Sequence, residues 1–333
     1  APIWRRLVRD CCGAQHHSGH RTGMTHTLDH LRAYSVVVAD TADIEAIETY
    51  QPIDATTNPS LVLKQAQTKA VQSLIGETRA ALKAGHFPSA QDAARHLSVR
   101  FGADIATRIP GFVSTEVDAR LSFDTEASVD EAHRILEAYD TLGVNRSRIL
   151  IKLASTWEGI EAARILEARG IGCNLTLLFS ETQAIAAAHA HATLISPFVG
   201  RIYDWYVARG ETPASADSDP GVLSVQRIHR LYKHHGIKTI VMGASFRTAE
   251  QVLALAGCDR LTISPQILEE LAQSHAPCHP IETPARTDQP LPEINRNQFL
   301  LALAANPMAT EKLADGITRF INDQRTLESL LLG

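Results

Sequence analysis

The sequence predicts an α/β fold, a (β/α)8 TIM barrel with additional C-terminal helices. From residue 35 onward, eight short runs rich in β-branched residues alternate with longer stretches rich in Ala, Leu, Glu and Arg. That order gives a parallel sheet with right-handed crossovers. The runs are apolar on both faces, as strands enclosed by helices must be. Eight strands in an open sheet would leave two edges, whereas closure removes both. At 333 residues, 44% of them hydrophobic, the chain has the length at which a barrel forms one domain.

Strands are expected at 35–40, 55–57, 113–118, 148–154, 173–179, 194–199, 239–245 and 260–264. Helical patterns between them include 125–142, 157–169, 181–191 and 248–256. Asn58–Pro59–Ser60 opens a helix behind the second strand, since proline's fixed φ and missing N–H suit a first turn. Gly143, Gly170 and Gly236 lie just past helical stretches, where a left-handed cap favours glycine. Residues 277–292 are proline-rich and expected to be irregular. Helical patterns at 296–304 and 308–332 then wrap over the barrel or an oligomer interface. No repeat or low-complexity linker divides residues 24–333, which read as a single domain. Residues 1–23 lack periodicity and read as a disordered extension, or as an upstream start with Met24 as the first residue.

The formal net charge is −5, and four arginines against one aspartate sit in the first 23 residues. The remaining body is acidic, which gives no reason to expect nucleic acid or membrane as a partner. An anionic substrate would need a local cationic site. The five cysteines show no CxxC pair and no Cys/His metal spacing. Cys173 and Cys258 read as small buried hydrophobes, and a reduced, cytoplasmic compartment fits best. No apolar run approaches the roughly 18 residues of a membrane helix.

Ionisable groups are costly inside strands buried on both faces, yet several strands carry polar residues, mostly toward their C-terminal ends. These are Asp40, Glu116, Asp118, Lys152, Asn174, Thr176 and Ser196, with Ser245 and Arg247 after the seventh run. In barrels that end carries the active site. Of seven lysines, only Lys152 lies within an apolar strand, Ile149–Ala154. Desolvation disfavours its ammonium form and favours the neutral amine that attacks a carbonyl. The alternative is a lysine paired with a carboxylate or anchoring an anion. Asp40 reads as an acid/base or a helix N-cap, and Glu116 as an acid/base or the ion-pair partner of Lys152 or Arg120. Asp118 reads as structural. Arg201 and Arg247, with Ser245, read as a phosphate-binding group or as surface ion pairs.

Ordered blocks carry a resemblance to a known family: VVADT (37–41), DATTNPS (54–60), STEVDARLSFDTEAS (114–128), RILIKLASTWEGI (148–160), CNLTLLFS (173–180), LISPFVGRI (194–202), DPGV (219–222), VMGASFR (241–247), AGCDRLTI (256–263) and KLADGI (312–317). Across nearly all of 24–333 the chain resembles the transaldolases, most closely the bacterial type. The resemblance implies that Lys152 is a Schiff-base lysine and that Asp40 handles the C4 hydroxyl proton. Glu116 would act with Thr176 through a catalytic water. Asn58 and Asn174 would hold the hydroxyls of a dihydroxyacetone unit, with Thr56 and Ser196 also lining the pocket. Phe198 would be the aromatic wall beside the water, and Arg201, Ser245 and Arg247 would hold phosphate. It further implies sugar phosphate substrates and a homodimer. No cofactor or metal would be needed, because an iminium serves as the electron sink. A hydrolytic aldolase releasing free dihydroxyacetone, and a silent barrel used as a binding protein, are the alternatives.

Overall fold

Eight parallel strands close on themselves in chain order in the computed structural model, which describes residues 26–333. The expectations for residues 1–23, and for a start at Met24, lie outside the described residues. After α1 (Thr27–Arg32) the strands are β1 (Val36–Asp40), β2 (Asp54–Thr56), β3 (Val113–Glu116), β4 (Ile149–Ala154), β5 (Cys173–Leu178), β6 (Leu194–Pro197), β7 (Ile240–Gly243) and β8 (Arg260–Ile263). Strand β8 pairs with β1 and completes the ring. Helix α2 (Ile44–Tyr50) follows β1, and α3 (Pro59–Ala66), α4 (Gln72–Lys83) and α5 (Ala90–Ala106) follow β2. Next come α6 (Thr125–Thr141), α7 (Trp157–Ala168) and α8 (Glu181–His189), behind β3, β4 and β5. Helices α9 (Gly200–Val207) and α10 (Pro220–His234) follow β6, α11 (Ala249–Leu253) follows β7, and α12 (Pro265–Gln273) follows β8. The chain ends with α13 (Arg296–Ala304) and α14 (Pro307–Leu332).

The expected punctuation is present. Pro59 opens α3 behind the N-cap Asn58, whose side-chain oxygen accepts from Leu61 N–H. Gly143, Gly170 and Gly236 have φ of 73°, 78° and 63°. Six strands stop short of their expected ends, β3, β6 and β7 by two residues and β2, β5 and β8 by one. β3 ends at Glu116 because Asp118 turns to accept from Arg120 N–H, capping a short 3-10 turn. β7 ends at Gly243; Ala244 keeps a single bridge to Phe198, and Ser245 turns left-handed at φ 62°.

Side chains alternate along each strand, so each strand divides its residues between two cores. Ile151, Leu153, Leu175 and Ile195 face outward into the large layer beneath the helices. Val38, Leu150, Leu194 and Met242 form a separate cluster with Val36, Phe112 and Ile240, a plug that fills the barrel interior. Two residues beyond that plug on their strands come Asp40, Lys152 and Ser196. An apolar floor therefore carries a polar layer.

Helix α14 packs across α3, α5, α9 and β5. Its Leu327 and Leu331 are fully buried in a cluster with Val62, Ala66, Leu97 and Phe101. Each such leucine contributes ~1.5–3 kcal/mol, whereas its part-exposed ion pair, Glu328 with Arg120, adds about 0–1 kcal/mol. Burial therefore decides the docking. Gly316 permits the closest approach, since a Cβ there would lie 2.6 Å from Leu177 and 2.9 Å from Arg201. Among the described residues no helix is long and apolar enough to cross a membrane.

Candidate active site

Strand register brings the polar layer together. Glu116 lies opposite Lys152 across β3 and β4, Lys152 opposite Asn174 across β4 and β5, and Asp40 opposite Thr56 across β1 and β2. These neighbours come from stretches of chain far apart in sequence, and closure of the ring aims them at one axis.

Lys152 is nearly enclosed, its side chain 6% exposed and that of Glu116 4%. Its Nζ lies 3.1 Å from Glu116 Oε2 and donates to the Thr57 carbonyl at 3.1 Å. Asp40 caps no helix, for α2 is capped by Asp43. Its Oδ1 instead accepts from Thr56 Oγ1 at 2.9 Å, and Thr56 also meets Thr262 Oγ1 at 2.8 Å. The amide of Asn174 is used at both ends: Nδ2 donates to Ser114 Oγ at 3.0 Å, and Oδ1 accepts from Ser196 Oγ at 2.6 Å. Thr176 Oγ1 is buried without a hydrogen-bond partner. An orphan hydroxyl beside a polar cavity is a position suited to a water or a substrate oxygen.

Burial moves both carboxyls the same way. Asp40 retains a solvent-facing edge, but its carboxyl lies deep in the barrel mouth, and desolvation raises its pKa against the opposing pull of Lys152, the Thr56 hydroxyl and Arg201. Desolvation likewise raises that of Glu116, Lys152 and Arg201 pull it down, and the Asp40 charge adds to the rise. Two carboxyls raised above their usual range around one amine are suited to exchange protons with bound groups.

The other side of the mouth is cationic. Arg201, at the start of α9, lies over the rings of Phe198 and Phe320 with its guanidinium carbon 5.0 and 5.4 Å from their centroids. Burial, with repulsion from Arg319 and Arg247, lowers its pKa to about 10, so it stays charged at neutral pH. Arg247 is exposed; its guanidinium pairs with Asp204 at 2.6 Å and donates to Ser245 Oγ at 3.3 Å. Gly200 lets this loop come close: its N–H donates to the Ser245 carbonyl at 2.7 Å, and a Cβ would meet that oxygen at 2.3 Å.

One cavity is lined by Asp40, Thr56, Asn58, Lys152, Thr176, Ser196, Phe198, Arg201 and Ser245. Three expected residues do not line it. Glu116 reaches it through Lys152 and borders a neighbouring cavity behind Thr57 and Asn58. Asn174 is bound beneath Ser196, and Arg247 is turned to Asp204. Asp118 pairs with Arg120, as expected of a structural group. Sequence reasoning missed Thr262, Met242, Ala244 and Phe320 in the lining and Ser114 below it. Thr262 and Ser114 are polar residues within strands, the same signal that found Ser196. Phe320 lies on α14 and carries no such signal.

The fold and site define a lysine-centred barrel with a carboxylate pair on one side and an arginine pair on the other. The Transaldolase/Fructose-6-phosphate aldolase family matches residues 37–331. A transaldolase of Pseudoalteromonas atlantica is 53% identical over 313 residues, covering 92% of this chain and 99% of that protein. Transaldolases of Shewanella sp. strain ANA-3 and Methylobacillus flagellatus are 52% and 50% identical over 315 and 312 residues, each covering 92% of this chain and 98% and 99% of those proteins. The chain belongs to the transaldolase/fructose-6-phosphate aldolase family.

Proposed function

We propose that this chain is a transaldolase that moves a dihydroxyacetone unit from sedoheptulose 7-phosphate to glyceraldehyde 3-phosphate, giving erythrose 4-phosphate and fructose 6-phosphate in the non-oxidative pentose phosphate pathway. The observation that carries the reading is the enclosed Lys152 amine, 3.1 Å from Glu116 and within the electrostatic reach of Asp40.

Lys152 Nζ adds to the ketose C2 carbonyl. The carbinolamine then loses its hydroxyl as water, with Glu116 supplying and recovering the proton through a water held at Thr176. A raised pKa suits Glu116 to that work. Asp40 accepts the C4 hydroxyl proton as the C3–C4 bond breaks, and the bond's electron pair passes into the C2 iminium to leave an enamine on Lys152. The aldose phosphate departs. The enamine C3 then adds to the aldehyde carbon of the acceptor, Asp40 returns its proton to the new alkoxide, and water adds to C2 to free the lysine. Thr56, Asn58 and Ser196, the last braced by Asn174, hold the hydroxyls of the three-carbon unit. Phe198 walls the imine, while Arg201, Ser245 and Arg247 take the phosphate.

The same reading makes 24–333 one catalytic domain, expects a homodimer, and places the enzyme in the cytoplasm. Incubation with fructose 6-phosphate followed by borohydride reduction should leave a secondary amine on Lys152, found by peptide mass spectrometry. A folded protein with no adduct rules the mechanism out. Fructose 6-phosphate turnover should require an aldehyde acceptor. Release of free dihydroxyacetone at the same rate without one would establish the hydrolytic reaction instead.

A further inference from the structure

Two buried glutamines occupy matching places on the two sides of the mouth. Gln183 is the third residue of α8 and Gln251 the third of α11, behind the N-caps Ser180 and Thr248, whose hydroxyls accept from the glutamine N–H groups. In a capping box the side chain at this position returns to the N-cap amide. Here each reaches one residue further back. Phe179 N–H donates to Gln183 Oε1 at 2.8 Å, and Arg247 N–H donates to Gln251 Oε1 at 2.7 Å. Six residues before each glutamine stands a non-glycine residue with a left-handed backbone, Leu177 at φ 53° and Ser245 at φ 62°. That conformation persists only where its surroundings fix it.

The amide ends diverge. Gln183 Nε2 donates to the carbonyls of Leu177 at 3.1 Å and Ser155 at 2.9 Å, tying the end of β5 to the end of β4. Ser155 Oγ in turn donates to the Thr176 carbonyl at 2.7 Å. Gln251 Nε2 donates to Asp219 Oδ2 at 2.7 Å, and Asp219 Oδ1 accepts from Gly221 N–H at the start of α10. The loop after β7 is thereby tied to the connection after β6.

We propose that Gln183 and Gln251 are paired positioning residues with separate duties. Gln183 holds the strand ends that present Lys152 and Thr176 for imine formation and hydrolysis. Gln251 holds the Ser245–Arg247 loop for the substrate phosphate. Neither touches substrate, and the inference rests on the roles proposed above for Thr176 and Arg247.

The test compares Gln183→Met with Gln251→Met, using fructose 6-phosphate and unphosphorylated fructose as donors, and follows the rate of borohydride-trappable adduct. Gln183→Met should lower kcat and adduct formation by about tenfold or more with both donors, with KM nearly unchanged. On a Thr176→Ala background it should cost little further. Gln251→Met should raise KM for fructose 6-phosphate about tenfold and leave the fructose reaction nearly unchanged. Like changes in kcat and KM for the two variants, with both donors, would overturn the proposal. Should a methionine variant lose its near-UV circular dichroism, Gln183→Glu or Gln251→Glu is read by the same criterion. If that also fails to fold, the position is architectural and the proposal falls. Absence of an adduct on the unmodified protein would sink the Schiff-base reading. An adduct there, with two indistinguishable variants, sinks this inference alone.

Discussion

The two sides of the barrel mouth handle charge differently. On the side of β1 and β3–β5, Asp40, Glu116 and Lys152 project from strands in register and are largely removed from water. Their partners are fixed by the ladder, and burial raises the pKa of both carboxyls. On the side of β6 and β7, Arg201 and Arg247 come from the start of a helix and from a loop, and Arg247 reaches solvent. Covalent proton chemistry is served by carboxyls that hold their protons more tightly than in water, which desolvation provides. Phosphate needs cations that stay charged, and Arg201 at about 10 does. Position on strand or loop thus decides which kind of chemistry a side chain can perform.

The largest break in that contrast is Lys152→Ala. Turnover and adduct should vanish into background, since among the described residues Lys152 is the one lysine that lines the cavity. The variant leaves Glu116 buried without its nearest cation, a change that can cost about 3–5 kcal/mol when the charge stays unpaired. Glu116 escapes much of this by keeping a proton, because burial already raises its pKa. A carboxyl with a raised folded pKa contributes stability that is present at low pH and lost as pH rises through that value. Thermal unfolding should therefore show Lys152→Ala close to the parent protein in mildly acid buffer and less stable in alkaline buffer. Equal loss at all pH values would show that Glu116 does not take up the proton.

Asp40→Asn comes next. General acid–base groups are typically worth about 10²–10⁴ in rate, and the loss should fall on kcat. In the parent protein activity should decline as pH falls through the raised pKa of Asp40, so the acid limb lies above the ordinary aspartate value of 3.8. That limb should disappear in the asparagine variant, and its persistence would assign the titration elsewhere. Adduct formation, which needs Glu116 and not Asp40, should survive.

Arg247→Ala tests the exposed side. A hydrogen bond to a charged group contributes ~1.5–3 kcal/mol, so KM for phosphorylated sugars should rise about 10–100-fold, with kcat changed far less. Arg247→Lys should recover only part of this, since it restores charge but not the planar fork. An unchanged KM in Arg247→Ala would leave the phosphate to Arg201 and Ser245.

The same division explains what the sequence made legible. Lys152, Asp40 and Glu116 stood out because charge within an apolar strand violates a strong local rule, and the strand period fixes which face each residue takes. Arg201 and Arg247 were found only as cations after strand ends, a weaker signal, and their present partners, Phe320 and Asp204, come from helices that no strand pattern could align with them. Phe320 reaches the cavity because α14 docks by burying Leu327 and Leu331 more than one turn away, a tertiary event invisible to local periodicity. Strand ends were overrun at Asp118 and Ser245 for a related reason. Both residues leave the ladder for a side-chain cap or a left-handed turn that composition alone does not encode.

The smallest effect on activity lies outside the mouth and separates loss of chemistry from loss of fold on the acid side. His229, on α10, is 1% exposed, and neither ring nitrogen has a hydrogen-bond partner. Burial lowers its pKa to about 4, with Asp259 opposing and Lys233 and Arg230 adding to the fall. Because the unfolded chain binds this proton near 6.5 and the folded chain only near 4, the unfolded state holds more protons between those values. Stability is therefore full above about pH 6.5 and declines as pH falls toward 4, at up to ~1.4 kcal/mol per unit and a few kcal/mol in all. His229→Leu should flatten the dependence of denaturation midpoint on pH across that window. It should leave the acid limb of kcat/KM where Asp40 sets it. If the activity limb moved with the stability curve, the acid limb would report unfolding, and the buried side of the mouth would lose its evidence for a titrating catalytic carboxyl.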